Sequence, residues 1–252
     1  MGLSGFANSP FRPASICVVR KMPSGKRWTR DELIVAVGIY HNLTFGQLHA
    51  RQPVIIQLAE KLGRSPGSVA MKLCNFASLD PALKMRGIKG LEGAGALDRE
   101  VWAEFHGNSE EIVPRSREIL CEMFKAGPNS ELEVLPKEGI KVRKLPQGDT
   151  EVVATVKQRR GQEYFRDAVL NNFGGACGVS GIAVRQLLVA SHILPWRSHA
   201  EERLNVRNGL CLSRLHDAAF DIGLICFDDD LRLMISPVLK KHFPQRGLAE
   251  NF

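Results

Sequence analysis

From Thr29 onward, apolar residues recur at helical spacing. Leu33, Val37 and Tyr40, with Ile34 and Ile39 beside them, predict a helix with a wide apolar face that ends near His41 and Asn42. Thr29 followed by Glu32 is a capping-box signature at its start. Pro53 to Leu62 reads as a second helix stopped by Gly63, and Val69, Leu73 and Phe76 mark a third that begins at Ser65 or Pro66. Glu110 to Ala126 is expected to be helical, with its start delayed by Pro114. Gly127 to about Gly148 holds three prolines and the basic cluster Lys141, Arg143 and Lys144, and reads as a hinge or linker. Glu151 to Val156 alternates enough for a short strand. Gln158 to Phe173 predicts a helix with Phe165, Val169 and Leu170 turned inward, stopped by Gly174 and Gly175.

Further along, Leu187 to Ile193 is a short, partly β-branched apolar run that ends at Pro195, which predicts a buried strand delivering His192 at its end. After a polar, Arg-rich loop, Gly209 to Leu212 makes a second strand. Ser213 then caps a helix that stops at Gly223. On that helix Asp217 and Asp221 are four residues apart and share a face, where two carboxylates repel one another unless a cation lies between them. Leu224 to Phe227 and Leu231 to Ile235 flank Asp228-Asp229-Asp230 as a hairpin. The three aspartates read as a solvated turn, because the glycine and distal glutamate of an EF-hand loop are missing.

The strand, strand, helix order, with His192, then Asn208 before Gly209-Leu210-Cys211-Leu212, then Asp217 and Phe220-Asp221, resembles the ββα-metal core of HNH endonucleases in the HNH_2-like branch. The motif resemblance covers roughly residues 159–236. It implies that His192 is the general base, that Asn208 orients it, and that helix residues hold one divalent metal ion, with Asp217 and Asp221 as ligands and His216 as a competing one. Oxygen ligands favour Mg²⁺ or Mn²⁺, whereas a contribution from His216 would shift preference toward Ni²⁺, Co²⁺ or Zn²⁺. Many members carry an acidic residue or a second histidine where this chain has Ser191. Many also bind a structural zinc through two Cys-x-x-Cys pairs. Here Cys177-Gly-Val-Ser180 and Cys211-Leu-Ser-Arg214 each lack the second cysteine, so no structural zinc is expected. Arg197, Arg203, Arg207 and Arg214 bracket the site as candidate grips for flanking phosphates.

The two helices joined at Gly63-Arg64-Ser65 look like a helix-turn-helix, with residues 65–77 as a recognition helix for a major groove. In that reading Arg64 and Lys72 reach phosphates, and Ser65, Ser68 and Asn75 belong to the DNA-facing set. The stretch from Lys26 to about Gly107 also resembles, more loosely, a domain of restriction-type HNH proteins, some of which act on modified DNA. The fold class expected is therefore α+β: a flexible leader over residues 1–25, a helical DNA-binding domain over 26–107, a helix and linker over 108–150, and a ββα-metal HNH nuclease domain over 151–252.

Composition narrows the partner more than the chemistry. A net charge of +7 over 252 residues favours a polyanion. The six cysteines have no paired spacing and no apolar run approaches the ~20 residues that span a bilayer, which together point to a reduced, cytoplasmic protein without a membrane partner. Residues 1–21 have no signal-peptide pattern, and Met22 is a candidate natural start. The expected function is metal-dependent endonucleolytic cleavage of double-stranded DNA, in a restriction or defence role that extends to modified bases, with a homodimer supplying two active sites for two strands. The competing readings are a non-catalytic DNA-binding regulator with a decayed nuclease domain, and a nuclease toxin without sequence preference.

Overall fold

The structure, a computed structural model, describes residues 26–127, 130–144, 153–245 and 247–252. The leader expected over residues 1–25 lies outside them. The first helix, α1 (Arg30–Tyr40), opens with the anticipated capping box: Thr29 N–H donates to Glu32 Oε2 at 2.9 Å, and Glu32 N–H to Thr29 Oγ1 at 3.3 Å. Its burial goes beyond one face. Leu33 through Ile39 are all buried, because α1 is enclosed by α3 (Pro66–Ala77), α5 (Ala96–Gly107) and α6 (Ser109–Met123). A helix buried on every side is the central strut of a helical layer rather than a surface element.

Between them, α2 (Pro53–Leu62) ends where Gly63 takes a left-handed φ of 62°, and Ser65 caps α3 by accepting from Ser68 N–H. The short α4 (Pro81–Met85) starts at the Asp80 cap. Pro114 does not delay α6, which begins at Ser109. The proline falls in the second turn, so it removes one bond near the helix start and the remaining turns proceed from there.

The segment expected to be a linker is a folded hairpin. β1 (Ser130–Leu135) pairs antiparallel with β2 (Gly139–Lys144), from Ser130 opposite Lys144 to Leu135 opposite Gly139. Its prolines and glycines hide a period of two: Leu132, Val134 and Ile140 are buried, while Glu131, Glu133 and Lys141 alternate with them. Ile140 N–H donates to Gln57 Oε1 at 2.6 Å, which fastens the hairpin to α2. On its other side lies α7 (Val153–Asn172). Val153 to Val156 are its first turn, not a strand. The rest of that expectation, Glu151 and Val152, lies outside the described residues.

Around α7 the halves of the chain meet. Tyr164, Phe165, Ala168, Val169 and Leu170 are buried against α6, β1 and the ribbon of β3 (Leu188–His192) and β4 (Gly209–Ser213). One hydrophobic cluster runs without a break from Leu33 to Leu212. At its centre Asp167 accepts from Arg117 at 2.6 Å, Arg185 at 2.6 Å and Val134 N–H at 3.1 Å. A smaller cluster of Ala219, Ile225 and Leu239 joins α8 (Arg214–Asp221), the hairpin β5 (Ile225–Phe227) and β6 (Leu233–Ile235), and α9 (Pro237–Lys240). In the β5–β6 turn Asp228 Oδ1 accepts from the N–H groups of Asp230 and Arg232, so that acidic triplet organises its own turn. Among the described residues no helix is long and apolar enough to cross a membrane.

The aromatic cluster above α5 sets a pH response. His41 stacks on Trp102 and Phe105 and meets His106 edge-on, and burial, followed by the neighbouring His106, lowers its pKa to about 3. A folded-state pKa below the unfolded value means that the unfolded chain takes up the extra proton, so stability is lost as pH falls below the usual histidine range. His106, also lowered by burial, acts in the same direction. Urea unfolding at pH 7 and pH 5 should show a loss of about 1 to 2 kcal/mol that a His41→Phe variant reduces. An equal loss in that variant would place the acid sensitivity elsewhere.

Candidate functional site

The β3–β4 ribbon sets His192 opposite Gly209 and Ser191 opposite Leu210. Consecutive strand residues project to opposite faces. His192 turns toward α7, where its ring lies flat on Phe165 with centroids 4.0 Å apart and planes 8° from parallel, and Trp196 meets it edge-on. The room for this stack comes from Gly209, since a Cβ there would collide with Val169 Cγ2 and come within 2.9 Å of Phe165 Cζ. His192 Nε2 is 3.0 Å from the Arg203 carbonyl oxygen. A carbonyl only accepts, so Nε2 carries the proton and the lone pair of the neutral ring resides on Nδ1.

Asn208 fixes the loop that begins at this histidine. Its buried amide accepts from Leu194 N–H at 2.7 Å and donates to the carbonyl oxygens of Leu194 and Glu202, each at 3.2 Å. The Asn208 carbonyl accepts from Ile193 N–H at 2.9 Å. These bonds continue the ladder one step past the strand end and tie both sides of the loop to one side chain, which also holds the 202–203 segment whose carbonyl fixes the imidazole.

On the opposite face, Ser191 turns toward α8 and Asp217. Burial, then the charge of Asp221 one helical turn on, raises the Asp217 pKa, while the Ser191 hydroxyl and Arg214 pull it back down. Ser191 Oγ is itself buried and closes no bond of full hydrogen-bond geometry. A buried hydroxyl left open beside two mutually repelling carboxylates fits a small, hard divalent cation. Such an ion is commonly held by one or two carboxylates and keeps waters and substrate phosphate oxygens as its other ligands. Among the described residues no group of three or more His, Cys, Asp or Glu side chains gathers as a metal site. Asp217, with Asp221 one turn on and Ser191 beside it, makes up the oxygen-bearing side chains of this face, and His192 lies outside that group.

His216 does not join them. It is fully buried, with Nδ1 2.7 Å from Ser213 Oγ and 3.7 Å from Cys177 Sγ, and its ring packs against Phe252. It sits on the core side of α8, which removes the reason to expect softer ions. Cys177 beside it has its thiol pKa lowered: burial alone raises it, but hydrogen bonds from Ser180 and the Val179 backbone outweigh that cost. Burial pushes Cys211 up to about 11.

The arginines divide. Arg197 and Arg214 are exposed beside the ribbon. Arg207 pairs with Asp80, which also accepts from Tyr40 Oη at 2.9 Å, so it links the Asn208 loop to the N-terminal helices. Arg203 lies over the Trp196 ring, donates to the Trp196 carbonyl and pairs with Glu110.

The proposed recognition helix needs a correction. Arg64 is buried, bonded to Glu32 and to the carbonyls of Lys26 and Arg27, and stacked on Trp28. Lys72 is held by both oxygens of Asp98 at 2.8–2.9 Å, and Asn75 is buried against Gly93. Of the expected contacts on that helix, Ser65 is exposed and serves as its cap, and Ser68 is half-buried. α3 presents almost no polar surface because both of its sides are packed.

The family model for HNH endonucleases (HNH_2) matches residues 177–228. No curated protein and no solved structure matches the chain. The HNH-like segment covers about a fifth of the sequence and contains the whole β3, β4 and α8 arrangement, while the N-terminal helices lie outside it. Two contributors escaped sequence reasoning. Phe165 was legible only as a core residue, and the Arg203 carbonyl is a backbone group with no residue signal.

Proposed function

We propose that the chain is a metal-dependent DNA endonuclease of the HNH type. The observation that carries this reading is the 3.0 Å contact of His192 Nε2 with the Arg203 carbonyl oxygen: it calls for a proton on Nε2, Asn208 holds the loop, and Nδ1 is left as a base. His192 takes a proton from a water whose oxygen forms the new bond to phosphorus. The bond from phosphorus to the 3′ oxygen breaks, and that oxygen leaves with a proton from solvent, giving 5′-phosphate and 3′-hydroxyl ends. Asp217, Asp221 and Ser191 would hold a divalent cation, whose chemistry when bound is to supply positive charge to the phosphate and its leaving group. Hard oxygen donors favour Mg²⁺ or Mn²⁺. Arg197 and Arg214, both exposed, are the side chains we assign to flanking phosphates.

We take the substrate to be double-stranded DNA and the role to be restriction or defence, with two chains cutting the two strands. Labelled duplexes with and without modified cytosines, incubated with Mg²⁺ or Mn²⁺, separate a modification-dependent enzyme from a non-specific toxin by which duplex is cut. The regulator reading draws on a real feature, since His192 and the carboxylates lie on opposite faces of the ribbon and Ser191 replaces an acidic ligand. Metal binding decides between them. Titrating Mn²⁺ into the chain should show one site that Asp217→Asn weakens at least tenfold. Binding that is absent, or indifferent to this substitution, would leave the regulator.

A further inference from the structure

Part of the positive charge of the N-terminal helices is already paired: Arg30 with Glu100 and Glu104, Arg64 with Glu32, and Lys72 with Asp98. Of the exposed cations without such a partner, Lys84, Lys89 and Arg99 are the ones that share a cleft. All three are exposed, none has an acidic partner among the described residues, and they line one cleft of about 650 Å³ between α4, the 86–95 loop and the start of α5, where Glu92 is the opposing charge. The cleft is preformed. Ile88 N–H donates to Leu83 O at 2.9 Å and Leu91 N–H to Cys74 O at 3.1 Å. Gly90 rests so close to the end of α3 that a Cβ would come within 2.6 Å of Cys74 O and 2.7 Å of Ala77 C. The loop that carries Lys89 is therefore seated on the helix by backbone contacts, between Lys84 on α4 and Arg99 on α5.

Three cations against the single acidic side chain of Glu92 leave the cleft with a surplus of positive charge, which a polyanion neutralises. We infer that this cleft, and not α3, grips the phosphodiester backbone of DNA. The inference rests on the nucleic-acid reading above, but it concerns binding alone and is separable from cleavage. Each phosphate contact made by a lysine or arginine contributes about 0.9 to the slope of log affinity against log salt concentration.

The test is fluorescence anisotropy of a labelled duplex in EDTA, over a range of salt, with the full chain and its Lys84→Gln/Lys89→Gln/Arg99→Gln variant. The variant should melt like the parent, bind at least tenfold more weakly and show a salt slope shallower by about 2 to 3. Met71→Glu, which puts a negative charge on the exposed edge of α3, should change affinity less than twofold. Unchanged affinity and slope in the triple variant, binding lost through Met71→Glu instead, or a parent chain that binds no DNA would each overturn the inference. A chain that cuts DNA although the triple variant binds normally sinks the cleft and spares the nuclease; one that grips DNA through the cleft without cutting does the reverse.

Discussion

His192→Ala should lower the single-turnover rate of DNA cleavage by about 10² to 10⁴-fold, the range expected when a positioned general base is removed. The substitution takes away the one ring nitrogen left with a lone pair after Nε2 is committed to the Arg203 carbonyl. It leaves Ser191, Asp217 and Asp221 untouched on the other face of the ribbon, so Mn²⁺ affinity should stay within about twofold of the parent. That pairing of a large rate loss with preserved metal binding distinguishes a base from a ligand. Deleting the ring also opens a gap over Phe165, which makes a thermal melt of the variant a necessary companion. Equal loss of rate and metal binding would mean that the imidazole helps hold the ion, and the division between the two faces would be wrong.

The second large effect concerns stability. Asp167 is 4% exposed and Arg117 3% exposed. Asp167→Ala would leave Arg117 buried without a counter-charge, open the Val134 N–H and release Arg185, all beside the α7 residues that support His192. Stranding one partner of a buried pair costs about 3–5 kcal/mol. In a chain of this size that corresponds to a melting temperature lower by about 10 °C. Differential scanning calorimetry or a circular dichroism melt reads this directly. A shift of less than about 2 °C would show that water or a rearranged arginine replaces the carboxylate.

How far the sequence carries the argument differs between the two halves. Local rules place β3, β4 and α8 to within a residue or two, because each has a short-range signal: an apolar run ending at Pro195, the Asn208-Gly209 step, and the Ser213 cap with Gly223 beyond the helix. The N-terminal helices α1 to α3 are legible for the same reason. What local pattern misses is tertiary commitment. Lys72 and Arg64 look like DNA contacts until Asp98 and Glu32 arrive from 26 and 32 residues away. In sequence His216 stays open as a competitor to Asp217, and it is packing that turns His216 to Ser213 and Cys177 and Asp217 to Ser191. The β1–β2 hairpin hides under a linker's composition because prolines and glycines at its ends outweigh, in a short window, the alternation between them.

Ser191 shows the same limit from the other direction. In sequence it reads as the loss of an acidic ligand. In the structure its hydroxyl is buried next to Asp217, so in the proposed metal site it would be a weaker oxygen donor at the same place. Two carboxylates and a neutral oxygen hold a divalent ion less tightly than three charged ligands would, so cleavage should require a higher cation concentration than a fully acidic site.

Conversion of supercoiled plasmid by the purified chain tests the central claim most directly, run in Mg²⁺, Mn²⁺ and EDTA with His192→Ala beside the parent. Nicked or linear product should form with either cation, vanish in EDTA and be absent from the variant. Product that persists in EDTA or in His192→Ala, or no product with either metal, would contradict the assignment of this ribbon and helix as a hydrolytic centre.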